Sequence, residues 1–327
     1  MKNYFIVFFI SLFIVSCNQT TNRSNLLPNS TGKASELLIT IDKNKWESSV
    51  GDSVRSAFVS EEIALPQPEP IFDVVNIPNS AFSKIFESHR NMIRIKISPQ
   101  IEKNSITMRK NVWSKPQIVF QINAKNDSAF FDILSRNKTK IVDSILIEEN
   151  NRYIQSYKRF ESPEIKRQLK EKGVLIQIPK GYKMDVNKKD FMWISHETPM
   201  ISQAFIVAFK EYTDTTQFQK IYIINTIDSI LKENVPGALD SSYMTIEHRS
   251  KIYYKKMLLN NLFTAKLRGL WSVEGDFMGG PFVMLALPDI KRNRIVYVYA
   301  YVYSPKYNKR NYLRQIDAMI STIKILD

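Results

Sequence analysis

The sequence predicts an α+β protein with two lobes of mostly antiparallel sheet and flanking helices. Short runs alternate apolar and polar residues, the period of a half-buried strand, and are joined by turns rich in Gly, Pro and Asn. Helical spacing is confined to a few stretches between those runs, which segregates helix from strand. Strand, helix and further strands also follow in similar order in both halves. That order suggests a distant internal duplication, without a residue-level repeat to support it.

Taken in order, the chain divides into 1–16, 17–35, 36–173 and 174–327. The first segment carries Lys2 and an apolar run from Tyr4 to Val15. A membrane-spanning helix needs about 20 apolar residues, so this run is too short. It has the size and flanks of a secretory signal peptide. It ends Ile14-Val15-Ser16-Cys17, which resembles a bacterial lipobox: a branched apolar residue, smaller ones, then the cysteine that receives diacylglycerol. Cys17 is the only cysteine, so the mature chain has no disulfide and no cysteine nucleophile. One acyl chain anchors weakly, and lipoprotein processing supplies two or three. Residues 18–33 are rich in Asn, Thr and Ser and read as a flexible tether, reaching roughly 20–25 Å at about 5–6 Å × √n. The tether has no acidic cluster, which favours a periplasm-facing location.

In the first lobe a strand is expected over 36–41. A helix follows over 44–58, with Trp46, Val50, Val54 and Phe58 at four-residue spacing. Pro66-Gln67-Pro68-Glu69-Pro70 is a stiff connector. A strand over 71–77 and a short helix through Phe82, Ile85 and Phe86 come next. Met92 to Ile97 alternates apolar and basic, a half-exposed strand, and strands follow near 105–113 and 117–123. Asp127 or Ser128 caps a long helix with Phe130, Leu134, Ile141 and Ile145 on one seam. Ser162-Pro163-Glu164 starts another helix, which Gly173 ends.

In the second lobe strands are expected at 174–178, 191–195 and 204–209. A helix over 217–232 is broken by Asn234-Val235-Pro236-Gly237. Strands then follow at 243–247, 252–259, 263–273, 282–287 and 295–303. A last helix carries Leu313, Ile316, Ile320 and Ile323 on one face.

The formal net charge is +14, and loss of residues 1–16 removes only Lys2. From Arg249 to Asp327 there are 14 Lys/Arg against 5 Asp/Glu. In a cytosolic chain this balance would point to nucleic acid. On an exported chain it points away from nucleic acid and toward an acidic envelope partner, whether protein, glycan or lipid head group. A solvated basic face is the plain alternative.

Two stretches are candidates for binding. Arg268 to Phe282 holds four of the nine glycines within twelve residues, together with Trp271, Asp276, Met278, Gly279 and Gly280. Glycine allows close backbone approach and positive φ, so this could be a ligand loop or a hairpin with a buried tryptophan. In Tyr297-Val298-Tyr299-Ala300-Tyr301-Val302-Tyr303 the tyrosines share one strand face. Exposed, they would form a glycan or peptide platform; buried, they would lie under a helix.

Motifs for chemistry are sparse. His89, His196 and His248 are far apart, and no His-Glu-x-x-His, Gly-x-Ser-x-Gly or phosphate-loop pattern occurs. No cofactor, metal site or catalytic residue is assigned. The adjacent pairs Glu61-Glu62 and Glu148-Glu149 read as surface charge. Asp52-Ser53-Val54, Asp127-Ser128-Ala129, Asp143-Ser144-Ile145, Asp214-Thr215-Thr216 and Asp228-Ser229-Ile230 resemble the O-glycosylation signal of Bacteroidota envelope proteins.

The lipobox, Asn234-Val235-Pro236-Gly237, Ser242-Tyr243-Met244, Arg268-Gly269-x-Trp271, Met278 to Phe282 and Tyr312-Leu313-Arg314-Gln315 together resemble the Bacteroidota lipoproteins catalogued as domain of unknown function 4837. The resemblance would span nearly all of the mature chain. It implies an envelope location, with no activity attached. The expectation is a non-catalytic lipoprotein at the periplasmic face of the outer membrane, held by lipid on Cys17. An envelope hydrolase with a site between the lobes, and a glycan-binding module, are the alternatives.

Overall fold

The computed structural model describes residues 27–327. The leader, Cys17 and the first part of the tether lie outside the described residues. From Pro28 on, the stretch read as tether lies against the first lobe. The Lys115 amide donates to the Pro28 carbonyl at 2.8 Å, and Asn29 and Thr31 form β-bridges with Lys115 and His89.

The first lobe is a five-stranded sheet of β1 (Glu36–Thr40), β2 (Asp73–Ile77), β3 (Asn91–Ile97), β4 (Ser105–Lys110) and β5 (Ile118–Ala124), in the order β2-β1-β3-β5-β4. The α+β class holds, with one difference: here β1 pairs parallel with β2 and β3, and β3 pairs parallel with β5. Only β4 runs antiparallel. The connections explain this. The helices α1 (Lys43–Trp46) and α2 (Ser49–Phe58) join β1 to β2, and α3 (Lys84–Glu87) precedes β3. Such crossovers return the chain to the same end of the sheet, which makes neighbouring strands parallel. The single helix expected over 44–58 is two, because Ser48 is extended and its hydroxyl caps α2 by accepting from the Val50 amide.

The helix α4 (Asp127–Arg159) is about 50 Å long at 1.5 Å per residue. Asn126, rather than Asp127 or Ser128, caps it. Phe130, Leu134, Ile141 and Ile145 bury into the first core with Val50, Val54 and Phe58 of α2. Beyond Ile145 the helix leaves that core, and its C-terminal half lies along the second lobe.

The second lobe has α5 (Pro163–Glu171), β6 (Val174–Leu175), β7 (Lys183–Asn187), β8 (Phe191–Glu197), β9 (Ser202–Glu211) and α6 (Lys220–Asn234). It continues with β10 (Tyr243–Ile246), β11 (Tyr253–Leu259), β12 (Leu262–Glu274), β13 (Gly279–Asp289), β14 (Arg294–Tyr303), α7 (Arg310–Ile320) and β15 (Lys324–Ile325). The curled antiparallel sheet runs β10-β12-β13-β14-β9-β8-β7, with β11 also on β12. One face packs on α6 and the other on α5 and α7. β14 is therefore covered on both sides, which its alternating Tyr and Val/Ala residues allow. The two lobes differ in strand direction and order, so their similar element sequence does not extend to a shared topology.

Candidate functional site

The tyrosine face of β14 lies under α6. Tyr297 and Tyr299 are fully buried, Tyr301 is nearly so, and Tyr303 packs at the edge of the same core. Burial raises the Tyr299 hydroxyl well above its ordinary pKa, with Tyr301 adding to the shift. These rings offer no surface, which removes the glycan platform. Trp271 is also core: its indole N–H donates to the Val302 carbonyl at 3.2 Å, and its ring meets Tyr301 edge-on. A Cβ on Gly280 would stand 2.2 Å from the Val302 carbonyl oxygen, and one on Gly279 2.8 Å from that of Trp271. Those glycines serve close strand packing. Asp276 accepts from the Phe277 amide at 2.6 Å in the β12–β13 turn, with Met278 beside it.

Arg268 alone of that stretch faces the other lobe. Its guanidinium donates to Glu62 at 3.0 Å and to the Ile63 carbonyl at 3.2 Å. Arg314 of α7 binds the second oxygen of Glu62, the Ile71 carbonyl at 2.9 Å and the Ser35 hydroxyl at 2.6 Å. Burial alone would raise Glu62, but the charges of Arg268 and Arg314 outweigh it and hold the carboxyl below its ordinary range. Next to it, Arg310 pairs with Asp73 at 2.6 Å. The residue before α7, Lys309, gives that helix no side-chain cap. Glu69 from the proline-rich connector supplies it, accepting from the Lys309 and Arg310 amides at 2.6 and 3.0 Å. Three of the fourteen C-terminal cations, Arg268, Arg310 and Arg314, are thus paired with carboxylates of the first lobe.

Between the lobes, beside this clamp, lies a cleft of about 610 Å³. Leu146, Ile147 and Ile154 of α4 and Met257 and Leu259 of β11 line it with apolar surface. Three lining carboxylates are committed to cations: Glu62 as above, Asp317 to Lys266 at 2.6 Å, and Glu149 to Arg90 and Arg152 at 2.9 and 2.8 Å. Glu62, Glu148 and Glu149 are therefore interior charges and not the surface charges their adjacency suggests. Asp143 and Lys255 are exposed at the cleft. The Tyr153 hydroxyl and the Arg268 Nε are buried without a hydrogen-bond partner, and both residues line the cleft. Burial raises the Tyr153 pKa, so this hydroxyl stays a donor.

The histidines stay apart. His89 sits 2.7 Å from Glu36, His196 sits 2.9 Å from the Gly181 carbonyl and His248 sits 2.7 Å from Asp228. Among the described residues no group of three or more His, Cys, Asp or Glu is placed to hold a metal, and no helix is long and apolar enough to cross a membrane. The Asp-Ser/Thr pairs fall within α2, α4 and α6 or, for Asp214, at the cap of a short 3₁₀ turn.

Of the candidate residues only Arg268 reaches the cleft. Sequence patterns mark Glu62 only as surface charge and Arg314 only as part of a family motif, and they give no sign of Tyr153 or Lys266, because the pairings of Glu62, Arg314 and Lys266 span long sequence separations. The one usable signal was a glutamate beside a proline-rich connector, in a chain whose arginines cluster near the other end.

Fold and cleft define a two-lobed α+β protein with a groove between the lobes. Residues 162–322 match the family model described as Domain of unknown function (DUF4837), which confirms that resemblance for the second lobe. Residues 30–158 match a different one, Domain of unknown function (DUF8532), so the resemblance is narrower than the whole mature chain. No curated protein matches. Two solved structures share 10% identity at a TM-score of 0.33: a point mutant of the protein Mog1, and the Saccharomyces cerevisiae Ran-binding protein Mog1p. Each covers 47% of this chain, and 92% and 91% of its own length, respectively.

Proposed function

We propose that this is a non-catalytic, lipid-anchored envelope protein that holds a segment of a partner protein in its inter-lobe cleft. The observation that carries the reading is the pair of buried, unpartnered donors on Tyr153 and Arg268. Unlike the unpartnered Tyr297 and Tyr299 hydroxyls, which lie under α6, these two belong to residues that line a cleft, where an incoming acceptor has room to approach. An extended peptide segment supplies backbone carbonyls for them and apolar side chains for Leu146, Ile147 and Met257. Exposed Lys255 on one wall and exposed Asp143 on the other add contacts for charged residues of that segment. Catalysis is disfavoured because three of the four lining carboxylates, Glu62, Glu149 and Asp317, are neutralised by cations.

Two results test this. A photo-reactive residue at Ile147 is expected to capture a partner in cells, while one at Ile85, exposed on the first lobe, does not. Tyr153→Phe should lower that capture and leave stability unchanged or raise it by about 1 kcal/mol, since it deletes an unsatisfied hydroxyl. Equal capture from both positions, indifferent to Tyr153→Phe, would sink the cleft reading.

The location, at the periplasmic face of the outer membrane, rests on the leader and Cys17. Cys17→Ser is expected to abolish labelling by a palmitate analogue and to release the chain from membranes. Labelling that persists in the variant would remove the anchor.

A further inference from the structure

We infer that the first lobe carries a second site, independent of the cleft, that binds a phosphate-type oxyanion. The position follows from topology. The connection from β1 to β2 runs through α2 on one face of the sheet, where Val50, Val54 and Phe58 pack. The connection from β2 to β3 passes over the other face, where Phe82 and Phe86 cover Leu38 and Met92. The chain therefore reverses its direction of travel across the sheet between β1 and β3, which are adjacent and parallel. In open sheets with parallel strands, ligands bind outside the carboxyl ends of the strands at such a switch point.

A pocket of about 460 Å³ lies on that second face beside the switch point, lined by Asp42 and Asn79, which follow β1 and β2, and by Arg94, Lys96, Gln121 and Asn123 within β3 and β5. Every lining residue is polar. Arg94 and Lys96 are two apart on β3, so they share a face roughly 7 Å apart. Register sets Gln121 and Asn123 of β5 directly beside them. The Arg94 guanidinium lies 4.3 Å from the centroid of the Phe82 ring and 5.9 Å from that of Trp113. Its Nε is buried and has no hydrogen-bond partner. Neither Arg94 nor Lys96 has a carboxylate within ion-pair distance among the described residues. The acid present, Asp42, accepts from the Asn79 amide at 3.1 Å and leaves both cations unpaired. Asn79 is itself fixed by Thr40 at 3.0 Å and by the Ile95 carbonyl at 2.9 Å.

The pocket thus offers two cations of β3 without a carboxylate partner, beside the Gln121 and Asn123 amides of β5, each of which keeps a second N–H beyond its bond to Asn123 or Ser105. An arginine packed beside aromatic rings presents its fork to oxyanions. A phosphate dianion brings more charge and more acceptor oxygens than a carboxylate, which suits two cations with amides beside them. The phosphate could belong to a soluble small molecule or to a lipid head group.

The test titrates the full chain with inorganic phosphate by calorimetry at low salt. Separately, it measures retention on phosphatidate vesicles against phosphatidylcholine vesicles. Lys96 is exposed, so Lys96→Gln leaves the fold intact. It should weaken phosphate binding, or phosphatidate-specific retention, by about tenfold or more, the worth of one charge-assisted hydrogen bond. Arg94→Gln should remove it, and Lys138→Gln on the outer side of α4 should change nothing. Phosphate binding without specific retention identifies a soluble ligand; specific retention lost in Lys96→Gln identifies a head group. Neither phosphate binding nor specific retention, or values equal in wild type and both pocket variants, would overturn the inference.

Discussion

Glu62→Ala is expected to destabilise the protein by about 3–5 kcal/mol near neutral pH, the cost of stripping one partner from a buried ion pair. The change leaves Arg268 and Arg314 facing each other with no anion between them, and both are mostly buried. It also frees the connector that brings Glu69 to the start of α7. The pH dependence has a definite sign. Glu62 is held below its ordinary value of 4.5, so its contribution is complete above that value and is lost as pH falls through the lower folded pKa. Urea midpoints of the wild type should therefore fall on acidification below about pH 4.5, with part of the slope missing in Glu62→Gln. A midpoint unchanged by Glu62→Ala at neutral pH would mean that the lobes are not held by this clamp.

That clamp marks the limit of what the sequence discloses. Strand periods and helix seams depend on neighbours within a few residues, so β3, β5, α4, β12 and α7 were legible. Strand β7 was not: it is a five-residue edge strand whose apolar signal is carried by Met184 and Val186 alone, both half-buried. Parallel pairing in the first lobe was hidden because direction depends on where a connection returns, and alternation reads the same either way. The tyrosines of β14 were correctly placed on one face. Whether α6 or solvent covers that face depends on packing from 70 residues earlier in the chain. Arg268 was noticed for its local company of glycines, yet its partner Glu62 lies 206 residues away. Three cations of the basic C-terminal region, Arg268, Arg310 and Arg314, pair with Glu62 and Asp73 of the chain's own first lobe, contacts that composition does not reveal.

Trp271→Ala is the second large effect expected, about 3–5 kcal/mol for loss of a buried aromatic. The indole fills space against Tyr301 and Tyr303 and donates to the Val302 carbonyl. The variant therefore leaves both a cavity and an unpaired acceptor beside β14. Gly280→Ala attacks the same place from the other side, since its Cβ would meet that carbonyl oxygen at 2.2 Å and the indole nitrogen at 3.1 Å. Overpacking of this kind costs about 1–3 kcal/mol or more when backbone must move. The two changes should not rescue each other. Removing the indole relieves the milder of the two contacts, while the carbonyl of Val302 stays where the sheet puts it. A double-mutant cycle in urea should thus give a coupling that is small against the single effects. Capture through Ile147 should survive in whatever fraction of Trp271→Ala remains folded, because Trp271 does not line the cleft. Full stability of Trp271→Ala with loss of capture would instead return this stretch to the binding surface that its glycines first suggested.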